Sequence, residues 1–118
     1  DIIWYGDYAR GTLGRLDPTT GEVTEFELPN GSNSRPYGMA VDDSDRIWIV
    51  ETGIEPNNFV GFDPMTEEFF SESQIESGGG TIRHMYFDPE TNSVWFGADT
   101  NTVGVAKLPP RRNRAVSH

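Results

Sequence analysis

The stretch that decides the fold runs from residue 36 to residue 51. It reads Pro36-Tyr37-Gly38-Met39-Ala40-Val41-Asp42, an acidic turn, then Arg46-Ile47-Trp48-Ile49-Val50-Glu51. The first half alternates large Tyr37, Met39 and Val41 with small Gly38 and Ala40. That is the period of a strand, with one face small enough for a crowded inner position. The second half is apolar on both faces, which suits a strand covered on both sides.

The same pieces recur along the chain. Ile3-Trp4-Tyr5, Ile47-Trp48-Ile49 and Val94-Trp95-Phe96 are three copies of one strand, their tryptophans 44 and 47 positions apart. Behind them come Leu13-Gly14-Arg15-Leu16-Asp17-Pro18, Val60-Gly61-Phe62-Asp63-Pro64 and Val103-Gly104-Val105-Ala106, aligned on their glycines. An acidic strand follows twice, as Glu22-Val23-Thr24-Glu25-Phe26 and Glu67-Glu68-Phe69-Phe70. Its glutamates suit an outer edge kept from pairing by charge. The Tyr37 strand has a counterpart in Arg83-His84-Met85-Tyr86-Phe87-Asp88. Pro18-Thr19-Thr20-Gly21 and Pro89-Glu90-Thr91-Asn92 read as hairpin turns, with Gly21 and Asn92 where φ is positive.

Four strands in about 45 residues is the unit of a β-propeller blade. The expected fold is therefore all-β: a propeller fragment of antiparallel blades. Strands two to four of blade a fall at about 1–29, a full blade b at about 35–75, and strands one to three of blade c at about 81–108. The segment 109–118, with Arg111, Arg112 and Arg114, is expected to be a disordered basic tail. Gly78-Gly79-Gly80 is expected to be a crossover between blades; no Lys-Ser/Thr follows it, as a phosphate loop requires.

Composition narrows the function classes. The net charge is −10, and the body without its arginine tail is more acidic still. Such a surface repels phosphate backbones and anionic membranes, so neither is an expected partner. The absence of cysteine removes disulfides, thiolate catalysis and Cys-ligated metals. No apolar window is long enough to span a bilayer and no signal peptide is visible, so a soluble protein is expected, periplasmic, secreted or cytoplasmic.

The unit from Pro36 to Asp42, with Arg46-Ile47-Trp48 and Glu51, and the stretch from Leu13 to Pro18, resemble the virginiamycin B lyase family, also called streptogramin lyases. That family repeats Pro-His-Gly-Ile, an acidic turn, Trp-Phe-x-Glu and Ile-Gly-Arg-x-Asp-Pro. The resemblance covers residues 1–108 and implies a bacterial source. It also implies a lyase that opens a lactone by elimination: a bound Mg²⁺ polarises the ester carbonyl and a His on an inner strand removes the neighbouring proton. One blade supplies Glu-Pro-His-Gly, and a second metal-binding Glu lies fourteen positions after the His.

Carried onto this chain, Glu51 takes the place of that second Glu and is the candidate metal ligand. Tyr37 stands where the base should be, and Arg35 where the first Glu should be. Tyr, with a free pKa of about 10, is a weak base at neutral pH, and Arg does not ligate Mg²⁺. In blade c, Arg83 holds the His position, with His84 one place on. Tyr37 and His84 are thus the catalytic candidates. Arg35, Arg83 and Asp7, the last being Glu51's counterpart in blade a, are candidate ligand-binding residues. The structural alternatives are that Glu51 pairs with Arg35 or Arg83, and that His84 is a hydrogen-bonded structural histidine. Asn30-Gly31-Ser32 fits a glycosylation sequon and reads as turn chemistry.

Three functions remain open at this stage. One is a Mg²⁺-dependent carbon–oxygen lyase acting on a cyclic or lactone small molecule. Another is a non-catalytic propeller module that binds a ligand or protein through its channel face. The third is a sugar-lactone hydrolase, for which only Glu51 and Asp7 can be nominated among the several acids such a site needs. Two and a half blades leave apolar faces at both ends, so either further chain segments complete the ring or copies of this chain do, self-association as a homodimer forming a six-bladed ring being the first expectation.

Overall fold

The computed structural model describes residues 1–75, 82–98 and 101–110; Gly78, Gly79, Gly80 and the tail arginines lie outside them. The chain forms three antiparallel sheets. Blade a holds β1 (Ile3–Asp7), β2 (Thr12–Asp17) and β3 (Glu22–Glu27). Blade b holds β4 (Pro36–Val41), β5 (Ile47–Glu51), β6 (Asn58–Asp63) and β7 (Glu68–Gln74), paired in chain order. Blade c holds β8 (Ile82–Asp88), β9 (Ser93–Ala98) and β10 (Val103–Lys107). The inner strands β4 and β8 contact each other, and β1, the second-strand equivalent that begins blade a, contacts β4. No helix among the described residues is long and apolar enough to cross a membrane.

Turn chemistry sets the hairpins. Asp17, Asp63 and Asp88 each accept from the backbone N–H two residues on, at 2.9, 2.9 and 3.1 Å. Four residues after each aspartate comes a left-handed residue: Gly21 (φ 77°), Glu67 (φ 59°) and Asn92 (φ 53°). Glu67 does this without the freedom of glycine, so the turn is imposed by its hydrogen bonds.

Blade b is the filling of a sandwich. Ile47, Ile49, Val60 and Phe62 pack towards blade a in a cluster with Leu13, Leu28, Trp4 and Phe26. Trp48, Val50 and Phe59 pack the other way, with Ile82, Val94, Phe96 and Leu108. The small face of β4 is used as expected: a Cβ on Gly38 would lie 3.0 Å from the Met85 sulfur of blade c.

Strand pairing makes Trp4, Trp48 and Trp95 equivalent, facing Arg15, Gly61 and Val105. The glycine alignment is off by one residue in blade b. Gly14 and Gly104 lie opposite Tyr5 and Phe96, whereas Gly61 lies opposite Trp48 and so faces the other side of its sheet.

The first residues after β10 are ordered on the blades. Leu108 is buried. Arg46 donates from Nη1 and Nη2 to the carbonyls of Pro110 and Pro109 at 3.0 and 3.1 Å. Asn92 Nδ2 also donates to Pro109, at 3.0 Å.

Candidate functional site

Both inner strands carry a bulge at the same place. In β4 the register shifts between Pro36 and Met39, and in β8 between Ile82 and His84. Bulges re-aim side chains, and here they make Tyr37 and Arg83 equivalent. The two meet: the Arg83 guanidinium lies 5.4 Å from the centre of the Tyr37 ring, with Nη1 3.5 Å from the phenol oxygen. Tyr8, from the β1–β2 turn, sits edge-on to Tyr37 at 6.5 Å. Arg35 lies 6.0 Å from the Tyr8 ring centre and has φ 46°. A non-glycine residue in the left-handed region carries local strain. Tyr8, Pro36, Tyr37 and Arg83 line an open cleft of about 450 Å³.

Three of the sequence candidates, Tyr37, Arg35 and Arg83, therefore converge. Tyr8 was not among them; an aromatic in a turn carries no strand periodicity that would single it out. Asp7 turns away: it accepts from the Arg10 backbone at 3.0 Å and lies 3.8 Å from the Arg10 guanidinium. His84 stands on the outward face of blade c beside Tyr86 and Trp95, away from the cleft. Adjacent strand residues point to opposite faces, which separates His84 from Arg83.

Glu51 is buried and fully hydrogen-bonded. Its Oε1 accepts from Asn30 Nδ2 at 2.7 Å and Asn58 Nδ2 at 2.6 Å. Its Oε2 accepts from the Asn30 backbone at 2.9 Å and Ser34 Oγ at 2.5 Å. Neither Arg35 nor Arg83 is among these partners. Burial pushes the carboxyl's pKa up, but the bonds from Asn58, Ser34 and Asn30 outweigh it and hold it below the usual range. The amide of the Asn30 sequon is spent on this network.

The residues do not fit a Mg²⁺ ion. Such an ion takes several oxygen ligands, and those from protein are mostly carboxylates. Both Glu51 oxygens already face N–H and O–H donors, and no cluster of three or more His, Asp or Glu among the described residues could hold a metal.

Three stacked antiparallel blades with inner strands side by side define a partial β-propeller. Its fold is that of the virginiamycin B lyases. The chain superposes on a catalytically inactive variant of virginiamycin B lyase from Staphylococcus aureus with quinupristin, and on the selenomethionine form of that enzyme. Each has a TM-score of 0.64 and 19% identity, over 92% of this chain and 38% of the other. A streptogramin B lyase structure matches at TM-score 0.61 and 19% identity, over 92% and 37%. The chain thus spans well under half the length of these proteins. No protein-family model and no curated protein matches its sequence.

Proposed function

We propose that this chain is a non-catalytic propeller module that binds a planar, negatively charged small molecule in the Tyr8–Tyr37 cleft. The observation that carries this reading is the Arg83 guanidinium stacked 5.4 Å over the Tyr37 ring at the mouth of an open cleft. Aromatic faces take a flat ring, and positive charge beside them favours a ring that carries a negative group. Arg35 adds a second positive charge near Tyr8, 6.0 Å from its ring centre. Against a chain of net charge −10, these arginines are a local exception that favours an anion here.

The test uses 2-naphthoate as probe. Binding is expected to shift the ring resonances of Tyr8 and Tyr37, and Arg83→Gln is expected to weaken it about tenfold or more. No shift at millimolar probe, or unchanged affinity in Arg83→Gln and Arg35→Gln, would contradict the reading.

The fold likeness favours a second reading, a carbon–oxygen lyase on a cyclic or lactone substrate. Tyr37 and Arg35 at the base and first Glu positions weigh against it. Loss of the ester of a streptogramin B, followed with and without Mg²⁺, separates the two: turnover supports the lyase.

A further inference from the structure

Arg35 is held in a conformation that its own chemistry disfavours. Its φ is 46°, in the left-handed region that costs a non-glycine residue energy. It also precedes Pro36, and a proline ring favours extended backbone in the residue before it. Such a conformation persists only where the surroundings impose it.

The segment after β5 imposes it. Pro36 pairs with Glu51 at the end of the β4–β5 ladder, which sets Thr52 beside Arg35. The Arg35 carbonyl accepts from the Thr52 backbone N–H at 3.2 Å and from Thr52 Oγ1 at 2.6 Å. One residue on, the Gly53 N–H donates to the Ser34 carbonyl at 2.9 Å. The approach leaves room only for a glycine: a Cβ on Gly53 would collide with the Asn33 carbonyl oxygen and lie 3.2 Å from Arg35 Cγ.

This clamp has a consequence for the cleft. Arg35 is exposed, so the direction of its Cα–Cβ bond, and not packing, aims its side chain. With the backbone left-handed, the guanidinium lies 6.0 Å from the centre of the Tyr8 ring. Relaxation to negative φ would turn the Cα–Cβ bond towards another side of the chain and carry the charge away from Tyr8.

We propose that Thr52 is a positioning residue of this cleft and sets its preference for a charged over a neutral ring. Its hydroxyl holds the Arg35 carbonyl, the carbonyl fixes the left-handed backbone, and that backbone brings the positive charge to Tyr8. The charge preference rests on the reading of the cleft as an anion site; the clamp itself is tested without any ligand.

The first measurement is made by NMR on the whole chain, free of ligand. A strong nuclear Overhauser effect from the Arg35 amide to its own Hα is expected, as positive φ requires, together with cross-peaks from Arg35 Hδ to the Tyr8 ring. Both are expected to disappear in Thr52→Val, which removes the hydroxyl and keeps the branched shape, and to remain in Thr52→Ser. Absence of either signal in the parent, or survival of both in Thr52→Val, would overturn the proposal.

The second measurement compares 2-naphthoate with neutral 2-naphthol. Thr52→Val is expected to weaken 2-naphthoate about threefold, the scale of one exposed charge contact, and to leave 2-naphthol unchanged. Thr52→Ser is expected to restore the parent's affinity for 2-naphthoate. Equal weakening of both probes in Thr52→Val would assign Thr52 to the shape of the cleft alone and overturn the proposal. A parent that binds neither probe would overturn the anion reading and with it the charge preference, while the cross-peaks alone would decide the clamp.

Discussion

The ring of Trp48 covers Gly61 on the paired strand so closely that a Cβ there would lie 2.6 Å from the ring. Phe59 stacks almost flat on the same indole, with centroids 5.0 Å apart and planes 13° apart. A methyl group at 61 must push the indole into Phe59 or Phe70. Overpacking of this kind costs about 1–3 kcal/mol. Gly61→Ala is expected to lower the urea midpoint accordingly with an unchanged slope. A midpoint equal to the parent's would mean that Trp48 does not lie over the glycine.

Glu51 is expected to matter to stability more than to chemistry. Glu51→Gln replaces an acceptor oxygen by an NH₂ facing existing donors, and it removes charge-assisted bonds of about 1.5–3 kcal/mol each. The expected loss is about 2–3 kcal/mol in unfolding free energy, with no change in 2-naphthoate affinity. A change in affinity at full stability would place Glu51 in the binding site.

Acid should weaken the fold in a defined window. Asp42 is held below the usual carboxylate range too. Burial raises its pKa, but bonds from Trp48 Nε1, from the Arg46 and Ser44 backbones and from the Arg46 side chain lower it further. A carboxyl with a depressed folded pKa contributes its full stability above the unfolded value, about 4, and loses it as pH falls through the folded value. Stability is therefore expected to be level from pH 7 to about 5 on account of these two groups, and to fall below about pH 4. Glu51→Gln should flatten the acid limb. An unchanged limb would show that Glu51 titrates normally.

Removing residues 109–118 takes away the Pro109 and Pro110 carbonyls that satisfy Arg46. Arg46 stays buried beside Asp42, with which it forms a 2.7 Å ion pair. Unsatisfied buried donors cost about 1–3 kcal/mol, so the truncated chain should unfold at lower urea. No change would mean that the carbonyl contacts add nothing in solution.

Much of the fold was legible because strand period and turn residues are local signals. Trp4, Trp48 and Trp95 marked equivalent strands, and Gly21 and Asn92 marked left-handed turn positions, all from sequence alone. Aligning Gly61 with Gly14 and Gly104 failed, since a one-residue slip changes the face of a strand while leaving its composition intact. The site was half legible. Tyr37 and Arg83 came from equivalent positions in two blades, but Tyr8 reaches the cleft from a turn. Glu51's partners Asn30, Ser34 and Asn58 lie in separate segments, and no spacing rule joins them. The docking of Pro109 and Pro110 depends on Arg46, some sixty residues earlier, and proline-rich tails carry no pattern that would announce it.

The central claim is that the sheets are stacked blades and not one continuous sheet, and a nuclear Overhauser spectrum tests it most directly. The stacked arrangement predicts cross-peaks from Gly6 to the Ile49 δ1 methyl and from Gly38 to the Met85 side chain, where Cβ positions would lie 3.3 and 3.0 Å from the partner atoms. Ladder cross-peaks between the backbones of β3 and β4, or of β7 and β8, with those side-chain contacts missing, would contradict it.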